Sequence, residues 1–286
     1  MSFDWLHDYI VNIISQVIIT VGIFLWLWLT KRVIIFSQVY RLILAKIARK
    51  KYVLIWNDHD IKNSNGIIKL LEKKNSKFRY FALNQPKDIF KFPLKPGAIQ
   101  AIIFIVSDVT KLSEDPKERN SIQDKVLKYV EKGGTLIGTH DIIYRRVRND
   151  LFEMAFGCRI TNFQRENKPI EYMVTPENTG HPVLKDLPDT FCLEDGEVCW
   201  GEWTHDVLVL LKSRKAYNGK KPIPLLTFRS YSEGKLFWIN CGDKYDKLCR
   251  SLAEPQSEYI QIISNILKYS NLFEKNIGEP QIDFAS

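Results

Sequence analysis

A histidine stands at the end of a short apolar strand, in the stretch Gly138-Thr139-His140-Asp141. An imidazole titrates near neutral pH, so it can act as a general base or bind a metal ion. In an open α/β sheet, ligands bind at the turn that follows a strand's carboxyl end. We therefore expect His140 to be catalytic, with Thr139 and Asp141 contacting the ligand. The alternative is an imidazole ring that only caps the adjoining loop.

Two other residues follow strands and could share that edge of the sheet. His59 lies between two aspartates after the first strand, and Asp243 follows the last long strand. Since parallel strands end at one edge, His59, His140 and Asp243 form a predicted catalytic set. Two histidines and a carboxylate would also suit a divalent metal ion, although the cofactor stays unknown. Solvated loop charges are the alternative for the His59 segment.

An acidic pair, Asp195 and Glu197, lies in the stretch LEDGEV. Paired carboxylates can perform acid–base chemistry or bind sugar hydroxyls, so both are predicted ligand-binding residues; a solvated turn is the alternative. Arg145 could bind an anionic group at the pocket rim or lie on a solvated helix face. Trp200 and Trp203 could stack on a sugar, although packing in the core is favoured.

The cysteines do not indicate a nucleophile or a disulfide framework. Their number is odd and no CxxC pair occurs among the five: Cys158, Cys192, Cys199, Cys241 and Cys249. This pattern favours reduced thiols in the cytosol. Cys241 ends an apolar strand and is interpreted as a buried core thiol.

The elements that would position these residues alternate between strands and helices. Apolar strands are predicted over 52–56, 78–83, 101–106 and 135–138, with helices over 67–74 and 120–131. Such alternation is typical of βαβ units and a parallel sheet. A further helix is predicted over 149–157. A β-rich extension of the same sheet follows, with strands over 160–163, 170–174, 206–211, 224–228 and 235–240 and a closing helix over 259–273.

The amino-terminal segment predicts a membrane anchor. Residues 9–30 contain no charge, and roughly 20 apolar residues suffice for a helix to cross a bilayer. The acidic amino end and the absence of a small-residue cleavage site disfavour a signal peptide. We expect a single-pass anchor over 1–32. Because Lys31 and Arg32 follow the span, the amino terminus is expected outside and the rest of the chain in the cytoplasm.

The positive charge of the chain is concentrated beside this anchor. The net charge is +8 over 286 residues. Seven basic residues lie in one segment without acidic neighbours: Lys31, Arg32, Arg41, Lys46, Arg49, Lys50 and Lys51. This placement favours a membrane flank and argues against nucleic-acid binding. Residues 33–51 are predicted as a basic juxtamembrane helix that lies in the membrane interface; the alternative is that it extends the spanning helix or packs on the domain. The domain covers 52–274, and 275–286 form a tail.

Four stretches in order carry a family resemblance: YVEKGGTLIGTHD (129–141), HPVLKDLPDTFCLEDGEV (181–198), DVLVLL (206–211) and EGKLFWINCGD (233–243). The chain resembles the trehalose-utilisation (ThuA-like) branch of the class I glutamine amidotransferase-like superfamily. The resemblance implies a flavodoxin-like three-layer α/β/α sandwich with a mostly parallel sheet.

The resemblance also implies which chemistry to expect. Amidotransferases of the superfamily carry a cysteine nucleophile where this chain has His140, and ThuA-like proteins share the histidine. Gly242-Asp243 stands where the family usually has Gly-His. The implied function is binding or processing of a small polar ligand, a carbohydrate derivative, without amidotransferase activity. The alternative is a non-catalytic sensor or assembly module at the membrane, and homo-oligomerisation is left open.

Overall fold

The structure is a computed structural model that describes residues 4–58, 61–106, 111–194, 197–217, 221–240 and 257–272. Within these ranges, the side chains of residues 4–10, 24, 26–27, 30–32, 61–63 and 271–272 are not described.

Parallel strands form one half of the main sheet. They are β1 (Tyr52–Asn57), β2 (Arg79–Leu83), β3 (Ile99–Ile105), β4 (Thr135–Thr139) and β11 (Gly234–Ile239). They lie in the order β2-β1-β3-β4-β11 with every neighbouring pair parallel. Numbered among themselves, these strands follow the 2-1-3-4-5 order of flavodoxin-like sheets, in which ligands bind at the carboxyl edge.

Antiparallel strands form the other half. They are β6 (Ile170–Val174), β7 (Thr190–Leu193), β9 (Leu208–Tyr217) and β10 (Lys221–Tyr231). The order β11-β10-β9-β6-β7 confirms the β-rich extension of the same sheet. The prediction of a mostly parallel sheet was wrong for this half, so the sheet is mixed. The reason is the short connections, such as Ser232-Glu233 between β10 and β11, because a tight turn can join only antiparallel strands.

A second, two-stranded sheet was not predicted. It pairs β5 (Cys158–Arg165) with β8 (Glu197–Trp203) in antiparallel register. Cys199 pairs with Phe163, and Glu197 with Arg165. The sequence predicted a short strand over 160–163 but none over β8. This small sheet carries part of the site described below.

Helices cover both faces of the main sheet. They are α2 (Ile61–Lys74), α3 (Pro116–Glu131), α4 (Asp150–Phe156) and, after β11, α5 (Ser257–Leu272). Side chains of β1 alternate between two cores. Val53 and Ile55 pack in the core that contains α2 and α5, whereas Leu54 and Trp56 pack in the core that contains α3 and α4. Burial on both faces explains the unbroken apolar character of the parallel strands.

A single helix, α1 (Asp4–Ala48), precedes the sheet and extends about 68 Å at 1.5 Å per residue. Its carboxyl-terminal part packs on the domain. Gln38 Nε2 donates a hydrogen bond to the carbonyl oxygen of Phe90 at 2.6 Å, and the Arg41 guanidinium lies 4.0 Å from the centre of the Phe92 ring. The segment predicted as a juxtamembrane helix thus continues the first helix and contacts the domain, and its position at a membrane stays a prediction.

The amino-terminal part of α1 exposes its apolar side chains. Ile18, Ile19 and Leu29 are each more than half exposed. In the described part of the chain, no helix has both the length and the apolar character that a membrane crossing needs. The described residues thus do not support the predicted crossing over 9–30.

Replacing Gly234 by alanine should destabilise the fold by about 3 kcal/mol, because overpacking of a buried site commonly costs 1–3 kcal/mol and the atoms here cannot move aside. A Cβ at this position would meet the backbone carbonyl oxygens of Val130 and Gly134. Gly97→Ala is the matched control, since a Cβ there meets nothing within 4 Å. Urea denaturation measures the free energy of unfolding of both variants. Equal stability of the two variants would contradict the packing of β11 against α3.

Candidate functional site

His140 begins the turn after β4 in a conformation that side-chain-bearing residues rarely adopt. Its φ is +32°, in the positive region that is uncommon outside glycine. The turn is also tightly packed. A Cβ on Gly138 would lie 2.8 Å from Ile142 Cγ2 and 3.0 Å from Phe156 Cζ. The absence of a side chain at Gly138 therefore lets the segment after His140 fold back against β4.

Three hydrogen bonds hold this turn in place. The Val106 backbone N–H donates to Thr139 Oγ1 at 3.0 Å, and the Asp141 N–H donates to the Val106 carbonyl oxygen at 3.0 Å. Trp238 Nε1 donates to the His140 carbonyl oxygen at 3.0 Å. The turn is thus tied to the ends of β3 and β11. The hydroxyl of Thr139 is thus used in a hydrogen bond to the backbone at the end of β3.

Strand β8 brings two more reactive side chains to His140. Cys199 Sγ lies 3.3 Å from His140 Nε2, and Glu197 Oε1 lies 3.8 Å from the same nitrogen. Asp141 Oδ1 lies 3.2 Å from the other ring nitrogen, Nδ1, without the alignment of a hydrogen bond. Cys199 Sγ is also 4.0 Å from Glu197 Oε1 and 3.9 Å from Asp141 Oδ1. We name His140, Asp141, Glu197 and Cys199 the His140 cluster.

The His140 cluster is closed at its centre and meets solvent at one end. His140 and Cys199 are 0% and 1% exposed, whereas the Glu197 side chain is 12% exposed. The exposed guanidinium of Arg165 lies at that end, with Nε 3.6 Å from Glu197 Oε2. A ligand would therefore reach the cluster beside Glu197 and Arg165.

The electrostatics of the cluster favour a positive charge at its centre. Burial lowers the pKa of His140, but Cys199 and Asp141 raise it more, and the net pKa is well above the ordinary value. Burial raises the pKa of Cys199 to about 12, although His140 opposes that shift. The thiol therefore keeps its proton at neutral pH. In that state Cys199 raises the pKa of His140 only as a hydrogen-bond partner, whereas the carboxylate of Asp141 raises it by its charge. Either a proton on the imidazole or a bound cation would satisfy this environment.

This arrangement limits the available chemistry. His140 can exchange a proton with a ligand, and Glu197 can accept hydrogen bonds from ligand hydroxyls. A protonated, buried thiol is a poor nucleophile. In the described part of the chain, one group of residues offers metal-ligand atoms close together: those of His140, Glu197 and Cys199 lie within 4.8 Å of one another.

Asn240 joins the two sheets behind the cluster. Its Oδ1 accepts a hydrogen bond from the Cys199 N–H at 3.1 Å, and its Nδ2 donates to the Cys199 carbonyl oxygen at 2.7 Å. The Tyr172 hydroxyl donates to the Asn240 carbonyl oxygen at 2.6 Å. Asn240 follows β11, so these bonds position β8 relative to the carboxyl edge of the main sheet.

The structure brings together three of the predicted site residues: His140, Asp141 and Glu197. Arg145 is exposed in a turn rather than on a helix, and its backbone N–H donates to the Ile160 carbonyl oxygen at 3.1 Å. Trp200 and Trp203 pack against the two cores, as favoured. Four residues with predicted roles lie outside the described residues: His59, Asp195, Cys241 and Asp243. The predicted set of His59, His140 and Asp243 therefore stays a prediction.

Sequence reasoning missed Cys199 and Asn240. Successive side chains of a strand point to opposite faces, so a Glu-x-Cys sequence places both reactive groups on one face. Glu197 and Cys199 have that spacing. The signal was present, but it becomes informative only once β8 is known to be a strand.

A family model described as ThuA, trehalose utilisation, matches residues 52–254. No curated protein matches the chain. Among solved structures, a ThuA-like protein from Bacteroides uniformis is 18% identical with a TM-score of 0.54, and the match covers 78% of this chain and 91% of that chain. A ThuA-like protein from Parabacteroides merdae is 16% identical with a TM-score of 0.54, covering 77% and 89%.

A larger enzyme shares the same architecture in part. The β-galactosidase from Bacillus circulans sp. alkalophilus is 14% identical with a TM-score of 0.52, over 77% of this chain and 31% of that chain. At such identities the likeness establishes the fold alone.

Replacing Asn240 by alanine should lower the free energy of unfolding by about 2–4 kcal/mol. The reason is that two buried backbone groups of Cys199 lose their partners, and each such loss costs about 1–3 kcal/mol. Asn162→Ala is the control, because this amide is exposed and donates its hydrogen bond to the hydroxyl of the neighbouring Thr161. Chemical denaturation with intrinsic fluorescence measures both variants. An N240A protein as stable as N162A would rule out the bridge between the sheets.

Proposed function

The chain belongs to the ThuA, or trehalose-utilisation, family, and we propose that its domain binds or processes a small polar ligand, a carbohydrate derivative, at the His140 cluster. The observation that carries the proposal is the convergence of His140, Asp141 and Glu197 at the end of β4. This is the edge where flavodoxin-like sheets bind their ligands. The family description supports the carbohydrate class.

The residues have distinct roles in this proposal. Glu197 is at the solvent end and accepts hydrogen bonds from ligand hydroxyls, with Arg165 beside it. His140 donates or accepts the proton, because its Nε2 faces Glu197. Asp141 lies 3.2 Å from Nδ1 and stabilises the protonated form of the imidazole. Thr139 and Trp238 position the turn and do not contact the ligand.

The proposed activity excludes glutamine amidotransfer. That reaction needs a thiolate nucleophile held by a histidine. His140 occupies the turn, and the nearby thiol belongs to β8. Burial raises the pKa of Cys199 to about 12. A thiol in that state does not supply the required nucleophile.

A non-catalytic role is the second candidate. The observation that favours it is the near-complete burial of His140 and Cys199. A closed cluster can fix the turn after β4 without turning over a substrate. In that case the domain would act as a sensor or an assembly module at the membrane.

We also propose that residues 1–32 anchor the protein in a membrane, with the amino terminus outside and the domain in the cytoplasm. Two observations support this proposal. Residues 9–30 carry no charge. The apolar side chains of this part of α1 are exposed on the helix, for example Ile18 at 65%. An exposed apolar surface of this kind is typical of a membrane or protein contact. Because Lys31 and Arg32 follow the span, the positive-inside rule places that end of it in the cytoplasm.

Binding of trehalose, measured by calorimetry on the full chain in detergent micelles, tests the site. His140→Ala and Glu197→Gln should each weaken binding at least about 10-fold, because a charged hydrogen bond is worth about 1.5–3 kcal/mol. Glu171→Gln is the control, since this residue pairs with Arg214 on the sheet surface. Unchanged affinity in both site variants would refute the site. Absence of binding by the native chain would refute the ligand class.

Membrane attachment is tested by carbonate extraction of cells that express the full chain. Ile18→Lys with Ile23→Lys should release the protein, because each lysine near a span centre costs about 2.5–3.5 kcal/mol. The matched control is Ile43→Lys with Ile47→Lys, at exposed positions of α1 beyond the proposed span. Release of the control variant, or retention of the first variant, would contradict the anchor.

A further inference from the structure

We propose that the His140 cluster binds a divalent transition-metal ion of the zinc type through His140 Nε2, Cys199 Sγ and Glu197 Oε1. This inference rests on the proposed site and adds the cofactor through which that site would work. The ligand set differs from the predicted set of His59, His140 and Asp243. Its three ligand atoms lie within 4.8 Å of one another in the structure.

The distances between the three atoms suit a single ion. They are 3.3 Å from Nε2 to Sγ, 3.8 Å from Nε2 to Oε1 and 4.0 Å from Sγ to Oε1. Bonds of about 2.0–2.3 Å at tetrahedral angles place ligand atoms roughly 3.3–3.7 Å apart. The triangle therefore closes around an ion with shifts of a few tenths of an ångström.

The donor types select the metal. Imidazole and thiolate suit zinc and similar ions, whereas magnesium and calcium prefer oxygen ligands. Three protein ligands are typical of catalytic zinc sites, in which the fourth position holds water or a substrate oxygen. The partly exposed end at Glu197 is where such an oxygen would enter.

The surroundings of the ligands also match a metal site. Metal-binding histidines usually direct their second ring nitrogen toward a carboxylate, which orients the ring. Asp141 Oδ1 lies 3.2 Å from His140 Nδ1, close enough to approach that nitrogen although the pair is not aligned as a hydrogen bond. Asn240 holds both backbone polar groups of Cys199. Asp141 and Asn240 are thus positioning residues for two of the three ligands.

Charge provides the driving force. Asp141 and Glu197 place two carboxylates in a largely buried space, where charge is costly unless it is compensated, and the cation of Arg165 lies beside Glu197 at the solvent end. A divalent ion would displace the proton of the Cys199 thiol and the Nε2 proton of a protonated His140. One metal–sulfur and one metal–nitrogen bond would form, and both protons would go to solvent. The ion then offsets the thiolate and Glu197, and Asp141 remains beside the imidazole.

The experiment uses the full chain, stripped of metal with a chelator and then titrated with Zn²⁺ and with Co²⁺. One equivalent of Co²⁺ should bind and produce a thiolate-to-cobalt charge-transfer band, and excess Mg²⁺ should leave that band unchanged. Cys199→Ser should abolish the band and weaken Zn²⁺ binding by more than about 10-fold, since even outer partners contribute 10–100-fold. Serine keeps the backbone bonds to Asn240, so this variant should fold.

Cys192→Ser is the matched control, because this thiol is exposed on β7. It should retain the band and the Zn²⁺ affinity. The proposal is overturned if the native chain binds no Co²⁺, if the band survives in C199S, or if it disappears in C192S. If the native chain binds trehalose but no metal ion, the metal site is refuted and the proposed ligand class stands. Normal metal binding without any trehalose binding would refute the ligand class alone.

Discussion

The confinement of two carboxylates beside one buried imidazole is the constraint on which the site depends. Asp141 lies 3.2 Å from one nitrogen of the His140 ring, and Glu197 lies 3.8 Å from the other. Buried charge is stable only when an opposite charge compensates it. The cluster therefore attracts a proton or a cation, and both proposals follow from that requirement: proton exchange by the imidazole and binding of a metal ion.

Holding the cluster together requires both sheets. The main sheet supplies His140 in a turn with positive φ, and Trp238 and Thr139 fix that turn. The small sheet supplies Cys199, and Asn240 joins it to the end of β11. Each of these contacts is between residues far apart in the chain. The site therefore depends on the packing of the whole domain rather than on a local motif.

The sequence predicted the half of the fold that follows simple patterns. Strand β1 was predicted over 52–56 and ends at Asn57, because strands buried on both faces have unbroken apolar runs. His140 was placed correctly at the end of β4 for the same reason. Strand β8 was missed, since Glu197, Cys199 and two tryptophans do not form a simple apolar pattern. Without that strand, the partners of His140 could not be identified.

The direction of the antiparallel strands and the packing of α1 also could not be predicted from sequence patterns. The direction of a strand depends on which neighbour it reaches, and the lengths of apolar runs do not encode that choice. The carboxyl-terminal part of α1 contacts the domain through Arg41 and Phe92, which lie on different elements. The pattern of charges and apolar residues in the sequence could not predict that contact, because it depends on where the fold places Phe92.

Anomalous diffraction at the zinc absorption edge, from crystals of the full chain grown with Zn²⁺, tests the central claim that the His140 cluster is one built site. The account predicts a single protein-bound peak within about 2.0–2.3 Å of His140 Nε2, Cys199 Sγ and a Glu197 carboxylate oxygen. A peak bound by other residues, or electron density in which His140 and Cys199 lie apart, would contradict it.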